Sequence, residues 1–245
     1  MREKLANKKI RTPAQERLGF VLRQNGMGGL EEQLSAENME TSICLDNLAL
    51  FLRSQGKHEA AEPFLRRSLE ICEKLLGADH PDTATNLTNL GVLLLEKGDL
   101  TGAEPLCRRA LSIWENSPGE DPLNIATGLS NLASLLQTKG DYAGAEPLYR
   151  RVLAIWEKSF GADHPDVAMT LNNLALALCS QGNNAEAEQL YRRALAICDK
   201  SLDANHPDRM ATLKNLADLL EAQGDNVAAD QLYRQLAIVE QNDQG

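Results

Sequence analysis

The sequence predicts an all-α fold, specifically a right-handed superhelical solenoid of antiparallel helix pairs. The first observation is a tripeptide of asparagine, leucine and a small residue that recurs every 42 residues without insertion or deletion. Its copies are Asn47-Leu48-Ala49, Asn89-Leu90-Gly91, Asn131-Leu132-Ala133, Asn173-Leu174-Ala175 and Asn215-Leu216-Ala217. The second is composition: 43% of the residues are apolar but only 4% are aromatic, which suits Ala/Leu-rich helix packing better than a β-sandwich. A fixed period of this length is typical of repeated units that bury their apolar faces against their neighbours.

Each repeat is predicted to contain two helices, which we call the A helix and the B helix. In the second repeat, Pro81-Asp82 suits the start of an A helix, because proline and acidic groups are favoured in a first turn. Gly98-Asp99 then ends that helix and precedes the B helix. Small residues recur once in each helix, where two helices would approach closely. They are Ala49, Gly91, Ala133, Ala175 and Ala217 in the A helices, and Ala61, Ala103, Ala145, Ala187 and Ala229 in the B helices.

The predicted domain organisation has three parts. Residues 1–40 form a basic arm and a truncated capping unit, because residues 1–24 carry a local charge of +5 and Arg17–Leu22 resembles an A helix, with Leu30–Leu34 as a short second helix. Five repeats follow, at about 41–82, 83–124, 125–166, 167–208 and 209–240. Residues 241–245 form a polar tail that is expected to fray.

Charge and cysteine content argue against several classes of function. The formal net charge of −10 disfavours a nucleic-acid-binding protein. No stretch approaches the ~20 apolar residues of a membrane span, and Met1–Arg11 lacks the apolar run of a signal peptide. The five cysteines are widely spaced and contain no C-x-x-C pair. We therefore expect reduced cysteines and a cytoplasmic location.

No constellation of residues predicts catalysis, a cofactor or a metal site. Nucleophile and phosphate-binding motifs are absent from the sequence. His80, His164 and His206 each precede a proline in equivalent linkers, so they lie too far apart to share an ion and are predicted to shape turns. The sequence thus predicts a protein that is not an enzyme.

The B helices contain arginine pairs that are predicted to be neutralised rather than to bind phosphate. A glutamate lies four residues before the first arginine of each pair, in the orientation that favours an i,i+4 ion pair. The pairs are Glu62/Arg66, Glu104/Arg108, Glu146/Arg150 and Glu188/Arg192.

The repeat pattern, with N-L-[AG]-x-x-L in the A helix, A-E-P-[LF]-x-R-R in the B helix and L-G-A-D-H-P-D in the linker, resembles the tetratricopeptide repeats (TPRs) of kinesin light chain. The resemblance covers roughly residues 41–240, and Leu76–Asp82 and Phe160–Asp166 match the linker best. It implies the fold predicted above and a protein or peptide ligand, while the net charge and the lack of an apolar span predict no nucleic-acid or membrane partner. In the proteins that this sequence resembles, the equivalent asparagines contact bound peptide.

The asparagine ladder, defined as Asn47, Asn89, Asn131, Asn173 and Asn215, has two interpretations. Asparagine is a mediocre helix former, so its recurrence in the A helices needs a reason. Each amide either makes an inter-helix hydrogen bond or faces the concave groove, where it can pair with a peptide backbone. Groove positions nearby are predicted at Val92, Ser134, Leu176, Arg53 and Lys214, and the last two are the only basic ones, so a clamp for a peptide carboxylate is not expected.

Trp114 and Trp156 lie one period apart near the ends of two B helices. They are predicted either to pack in the core or, if exposed, to anchor a ligand. Taken together, the sequence predicts a non-catalytic scaffold that binds a peptide or protein partner in a concave groove. The alternative is a sensor or assembly module of a larger multidomain signalling protein. No feature of the sequence specifies the partner or an oligomeric state.

Overall fold

The computed structural model of the protein describes Phe20 and residues 37–242. Over residues 37–242 the chain forms ten α-helices and no strand, which confirms the all-α helix-pair prediction. The helices are α1 (Met39–Ser54), α2 (His58–Leu76), α3 (Pro81–Glu96), α4 (Leu100–Asn116), α5 (Pro122–Thr138), α6 (Tyr142–Phe160), α7 (Pro165–Ser180), α8 (Asn184–Ser201), α9 (Pro207–Ala222) and α10 (Asn226–Asn242). The odd-numbered helices are the A helices, and the even-numbered ones are the B helices.

The chain divides into two compact units after Glu120. In the first unit, α1 packs on α2, α2 on α3 and α3 on α4. In the second unit, α5 to α10 pack on one another in the same consecutive order. Most of the capping unit and of the polar tail predicted for residues 1–40 and 241–245 lies outside the described residues.

The turn between the two helices of a pair depends on a glycine with a left-handed backbone. Gly98, for example, has φ of 81°, a conformation that other residues adopt only with strain. It allows the N–H of Asp99 to donate to the carbonyl of Leu94 at 2.9 Å, the hydrogen bond of a Schellman motif. The Asp99 side chain then accepts from the N–H of Gly102 and caps the next helix. One glycine and one aspartate thus reverse the chain and start the B helix.

The linker histidines cap A helices, as the predicted turn role requires. Nδ1 of His80 accepts from the backbone N–H of Asp82 at 3.1 Å, and His164 and His206 accept from Asp166 and Asp208 at 3.2 Å. In the divergent third linker, Asp121 replaces the histidine and accepts from the N–H of Leu123. Each of these side chains satisfies a backbone donor that the helix itself leaves unpaired.

The recurring small residues are buried, and Gly91 lies where the two helices of its pair touch. All ten are buried, and Gly91 shows how little space remains. A Cβ atom added there would lie 2.9 Å from Sγ of Cys107, closer than van der Waals contact allows. At Gly91, therefore, a larger side chain would force Cys107 to shift.

Candidate functional site

In four of the B helices, the first arginine of the pair is already paired with a glutamate of its own helix. Arg66, Arg108, Arg150 and Arg192 each contact the glutamate four residues earlier, at distances of 2.7 to 3.1 Å. This confirms the predicted i,i+4 pairs. A surface whose guanidinium groups are satisfied by their own helix offers little to a phosphate or a carboxylate ligand.

The second arginine of the pair connects successive repeats, a role that the sequence analysis missed. Arg109 donates to a carboxylate oxygen of Glu73 at 2.6 Å and to the backbone carbonyl of Ala78 at 2.7 Å. Arg193 contacts Glu157 and the carbonyl of Ala162 in the same way. We call this arrangement the inter-repeat arginine contact. It joins a B helix to the preceding B helix and to the linker that follows that preceding helix.

The last junction makes the same contact with a different arginine. Asp199 and Ala204 lie 42 residues after Glu157 and Ala162, but Gln235 occupies the position 42 residues after Arg193. The contact is nevertheless present, because Arg209 donates to Asp199 at 2.7 Å and to the carbonyl of Ala204 at 3.0 Å. The guanidinium group now comes from the A helix α9 rather than from the B helix α10.

The A helices carry the asparagine ladder on a more open surface. Asn47 is exposed, and the other four asparagines are partly buried. Within residues 37–242, no side-chain hydrogen bond is found for Asn47, Asn89 or Asn131. Asn215, in contrast, donates to Oδ1 of Asn172 at 2.9 Å. Asn215 thus makes an inter-helix hydrogen bond, whereas the other three amides have no side-chain partner among residues 37–242.

Exposed apolar side chains lie beside these amides. On α7, Met169 and Leu176 are 40% and 36% exposed, and they share a helix face because they are seven residues apart. Ile43 and Leu50 occupy the matching positions on α1 and are exposed as well. Val92 and Ser134, at the position of Leu50 and Leu176 in the other repeats, are partly buried. We call the surface formed in each unit by the asparagine ladder and these neighbouring side chains the A-helix face.

The charged groups of the A-helix face are few and mixed in sign. Arg53 lies 3.6 Å from Glu96 and is partly neutralised by it. Lys214 is exposed on α9. Nearby, the Tyr233 hydroxyl contacts carboxylate oxygens of Asp218 at 2.7 Å and of Glu221 at 3.0 Å, and these hydrogen bonds raise the pKa of the phenol. The face therefore has no cluster of basic residues.

The two tryptophans do not belong to this face. Trp114 is only 3% exposed, within the core of the first unit. Trp156 is partly buried and packs against a cluster that contains Val167, Leu171 and Ile197. Its ring also stacks on Phe160 at 5.5 Å between centroids. Core packing is thus what the structure shows for Trp114, and Trp156 contributes mainly to the α6–α7 junction.

A buried polar cluster between the first and second repeats was also missed by the sequence analysis. Asn86 on α3 donates to Oδ2 of Asp46 on α1 at 3.0 Å and to Oγ of Ser68 on α2. The Ser68 and Ser42 hydroxyls are 2.7 Å apart, and Cys72 lies 3.2 Å from Ser42. Burial raises the pKa of Asp46 to about 6, although the hydrogen bonds oppose this shift. The sequence signal was Ser42, at a position where three of the other four repeats have alanine.

Metal-binding and membrane-spanning features are missing from the part of the chain that the structure describes. Among those residues, no group of three metal-ligating side chains comes together, and no helix is long and apolar enough to cross a bilayer. All five cysteines are free thiols.

These helix pairs, with their 42-residue register and histidine-capped linkers, define a helical-repeat protein. A family model described as tetratricopeptide repeat matches residues 41–116, 124–200 and 166–237. The chain therefore belongs to the tetratricopeptide repeat family. The fold of this family is in general a non-catalytic scaffold for protein–protein interaction.

Solved structures agree with the kinesin light chain-type resemblance. A putative kinesin light chain from Podosopora anserina with nearly identical TPR-like repeats is 25% identical, with a TM-score of 0.71, and the match covers 85% of this chain and 99% of that one. BtubC (BKLC) from P. vanneervenii is 21% identical, with a TM-score of 0.74 and coverage of 96% and 94%. The apo form of RapI is 16% identical, with a TM-score of 0.73 and coverage of 83% and 71%; these last two likenesses concern the fold alone. A search of curated proteins found no match.

Proposed function

We propose that the protein is a non-catalytic scaffold that binds an extended peptide segment of a partner protein on its A-helix face. The observation that carries this proposal is the combination of unused amides, above all Asn131, with exposed apolar side chains such as Met169 and Leu176. An amide that lacks an internal partner can donate to and accept from a peptide backbone. Apolar side chains beside it supply the burial that makes such a contact favourable.

The repeat spacing supports an extended ligand. Packed helices lie ~8–10 Å apart, and three residues of an extended peptide span a similar distance at ~3.3 Å per residue. Within the second unit, the amides of Asn131 and Asn173 are therefore spaced to contact about every third residue of one peptide strand. The B-helix surface is a poorer candidate because its arginines are paired with glutamates of the same helix.

The chemistry of the face favours a ligand that does not depend on a terminal carboxylate. Lys214 is the only exposed basic residue among the predicted groove positions, and Arg53 is held near Glu96. We also place the protein in a reducing compartment such as the cytoplasm, because its cysteines are unpaired. Its net charge of −10 argues for a protein partner rather than nucleic acid or an anionic membrane.

The test is a selection from a displayed random-peptide library on the full chain, followed by fluorescence-polarisation titration of the best peptide. Asn131→Ala and Asn173→Ala should each weaken binding about 3- to 10-fold, as expected for the loss of a hydrogen bond worth roughly 0.5–1.5 kcal/mol. Leu176→Ser should weaken it by a comparable factor through lost apolar contact.

Glu188→Gln, on the B helix α8, serves as the matched control and should leave the dissociation constant unchanged. Circular dichroism of every variant verifies that the helices remain intact. Peptides whose affinity responds to Glu188→Gln but not to the three A-helix variants would show that the ligand binds elsewhere.

A further inference from the structure

The three A helices of the second unit differ in charge. The helix α5 contains no charged residue, and the only one in α7 is Asp166, in its first turn. In α9, by contrast, Lys214, Asp218 and Glu221 lie in the second half of the helix, and all three are exposed. Beyond the first turn of each helix, the charge that the A helices of this unit carry is therefore confined to α9.

The apolar part of the A-helix face lies next to this charged part. Asn215 of α9 donates to Oδ1 of Asn172 on α7 at 2.9 Å, so the two helices are in contact at this level. Leu176 and Asp218 lie about one turn further on and occupy the same position in successive repeats. Packed helices are ~8–10 Å apart. An extended ligand that covers Leu176 therefore reaches Asp218 about three residues further along, at ~3.3 Å per residue.

The carboxylates of Asp218 and Glu221 converge on one hydroxyl group. The Tyr233 hydroxyl lies 2.7 Å from Oδ1 of Asp218 and 3.0 Å from Oε2 of Glu221. It carries a single proton, which it cannot donate fully to both carboxylates at once. The hydrogen bond to Asp218, and then that to Glu221, raises the pKa of the phenol. The phenol therefore stays neutral and leaves both negative charges uncompensated.

No basic side chain among residues 37–239 forms an ion pair with either carboxylate. Lys214 lies four residues before Asp218 on the same helix, but it does not pair with it. Other carboxylates of this unit do have a basic partner; Glu157, for example, contacts Arg193 at 2.6 Å. We call Asp218 and Glu221 the acidic pair, and its charge is free to attract a cation from a ligand.

The fold does not require acidic residues at these two positions. Tyr149 and Tyr191 stand 84 and 42 residues before Tyr233, at the same position of their B helices. Their hydroxyls contact the neutral side chains of Ser134 and Cys179. The contact between this tyrosine and its A helix is thus made without charge in the two preceding helix pairs, and packing does not explain the acidic pair.

We propose that the ligand of the A-helix face is an extended basic peptide in which a lysine or arginine stands about three residues from a bulky apolar side chain. The apolar side chain packs on Met169 and Leu176, and the cation binds Asp218 and Glu221. The inference rests on the proposed function and narrows its ligand to one class of charge. Charge complementarity decides the class, because the neutral α5 and α7 do not select for charge, whereas the acidic pair attracts a cation and repels an anion.

Three displayed peptide libraries test this class against the full chain. Each fixes a leucine and, three positions away on either side, a lysine, a glutamine or a glutamate, with all other positions random. At low ionic strength, the protein should retain the lysine library about 10-fold more than the glutamate library, with the glutamine library between them. In about 0.5 M salt the ratio should fall to about 2, because salt screens exposed charges.

Substitutions in the acidic pair locate the selection. Asp218→Asn and Glu221→Gln should each lower the lysine-to-glutamate ratio to about 3, since each removes one of two exposed charges. Asp230→Asn is the matched control. It removes an exposed carboxylate from the B helix α10, at the position that Glu188 occupies in α8, and it should leave the ratio at about 10. Circular dichroism verifies that each variant is folded.

Leu176→Ser separates this inference from the proposed function, because it should lower the retention of all three libraries. If it does so while the wild type retains the three libraries equally, or prefers glutamate, the basic class is wrong and the proposed function stands. Retention that does not respond to Leu176→Ser would overturn both. A ratio that responds as strongly to Asp230→Asn as to Asp218→Asn would reflect net charge alone, and would overturn binding at the acidic pair.

Discussion

Hydrogen-bonded polar side chains fill the space between α1, α2 and α3, whereas alanines replace both serines in the matching space between α7, α8 and α9. Ser42 and Ser68 of the first pair correspond to Ala168 and Ala194 of the fourth, which lie 126 residues later and belong to an apolar cluster. Asn86 corresponds to Thr212, whose hydroxyl simply donates to a carbonyl of its own helix. Cysteine occupies the same position in both, as Cys72 and Cys198.

The difference shows that the repeat backbone does not depend on one kind of core. Close helix packing is kept in both junctions by the alanines that adjoin the cluster, such as Ala49 and Ala175. A buried polar cluster is tolerated in such a junction only when its donors and acceptors are hydrogen-bonded to one another, because an unpaired buried group costs roughly 1–3 kcal/mol. The junction of α1, α2 and α3 thus has less apolar burial and more hydrogen bonds, and these hydrogen bonds require one specific neighbouring repeat.

The largest expected effect comes from removing the central amide of the polar junction. Asn86→Ala leaves Asp46 and Ser68 without their shared donor, so it should lower the free energy of unfolding of the first unit by about 2–3 kcal/mol. Thr212→Ala, at the matching position of the second unit, should cost about 1 kcal/mol or less. Urea unfolding followed by tryptophan fluorescence measures both, because Trp114 reports on the first unit and Trp156 on the second. Equal losses of unfolding free energy for Asn86→Ala and Thr212→Ala would contradict the proposed difference between the polar and the apolar junction.

A smaller effect is expected from pH. Asp46 has a pKa of about 6 in the folded protein against an ordinary value of 3.8, so the folded state binds a proton that the unfolded state releases between these values. Stability should therefore increase by about 1 kcal/mol as the pH falls from 8 to 5. Asp46→Asn should abolish this contribution and stabilise the protein most at pH 8. The measurement is the difference in unfolding free energy between wild type and variant at each pH. A difference that does not change over this range would contradict the assignment of the raised pKa to Asp46.

The smallest effects concern the inter-repeat arginine contact, which Arg109 makes between the first and second helix pairs and Arg193 makes between the third and fourth. Arg109→Gln and Arg193→Gln should each lower the unfolding free energy by about 1 kcal/mol, since both guanidinium groups are partly exposed and screened by solvent. The adjacent variants Arg108→Gln and Arg192→Gln break only an i,i+4 pair and should cost about 0.2–0.5 kcal/mol. If Arg109→Gln and Arg193→Gln differ by more than about 1 kcal/mol, the inter-repeat arginine contact does not contribute equally in the two units.

Features that depend on local spacing could be predicted from the sequence. The helix pairs follow from the 42-residue period, and the ion pair of Arg66 with Glu62 follows from a separation of four residues on one helix. The turn role of His80 could be inferred because its counterparts lie too far away to share a metal ion. Each of these predictions needed only the geometry of a single helix or turn.

Features that depend on how one repeat is placed against the next could not be predicted. Arg109 reaches Glu73 across 36 residues, and this separation has meaning only once the distance between B helices is known. The asparagine ladder shows the same limit: one sequence position yields an inter-helix bond at Asn215 and an unused amide at Asn131, because their neighbours differ. A recurring Glu–Arg separation of 36 residues was the available signal.

At the last junction, Gln235 stands where the earlier repeats have an arginine, and Arg209 of α9 makes the contact instead. This difference affects how the last repeat unfolds. Arg109 and Arg193 each bind the carbonyl of a linker residue 31 positions earlier in the chain. The B helix that carries the arginine therefore cannot detach without breaking this contact with the linker. Arg209 instead contacts residues five and ten positions earlier, and within residues 37–239 no arginine of α10 makes a contact of this kind. Amide hydrogen exchange should accordingly be faster in α10 than in α8 or α6, and α10 should be the first of the three to detach when tension is applied to the C-terminus.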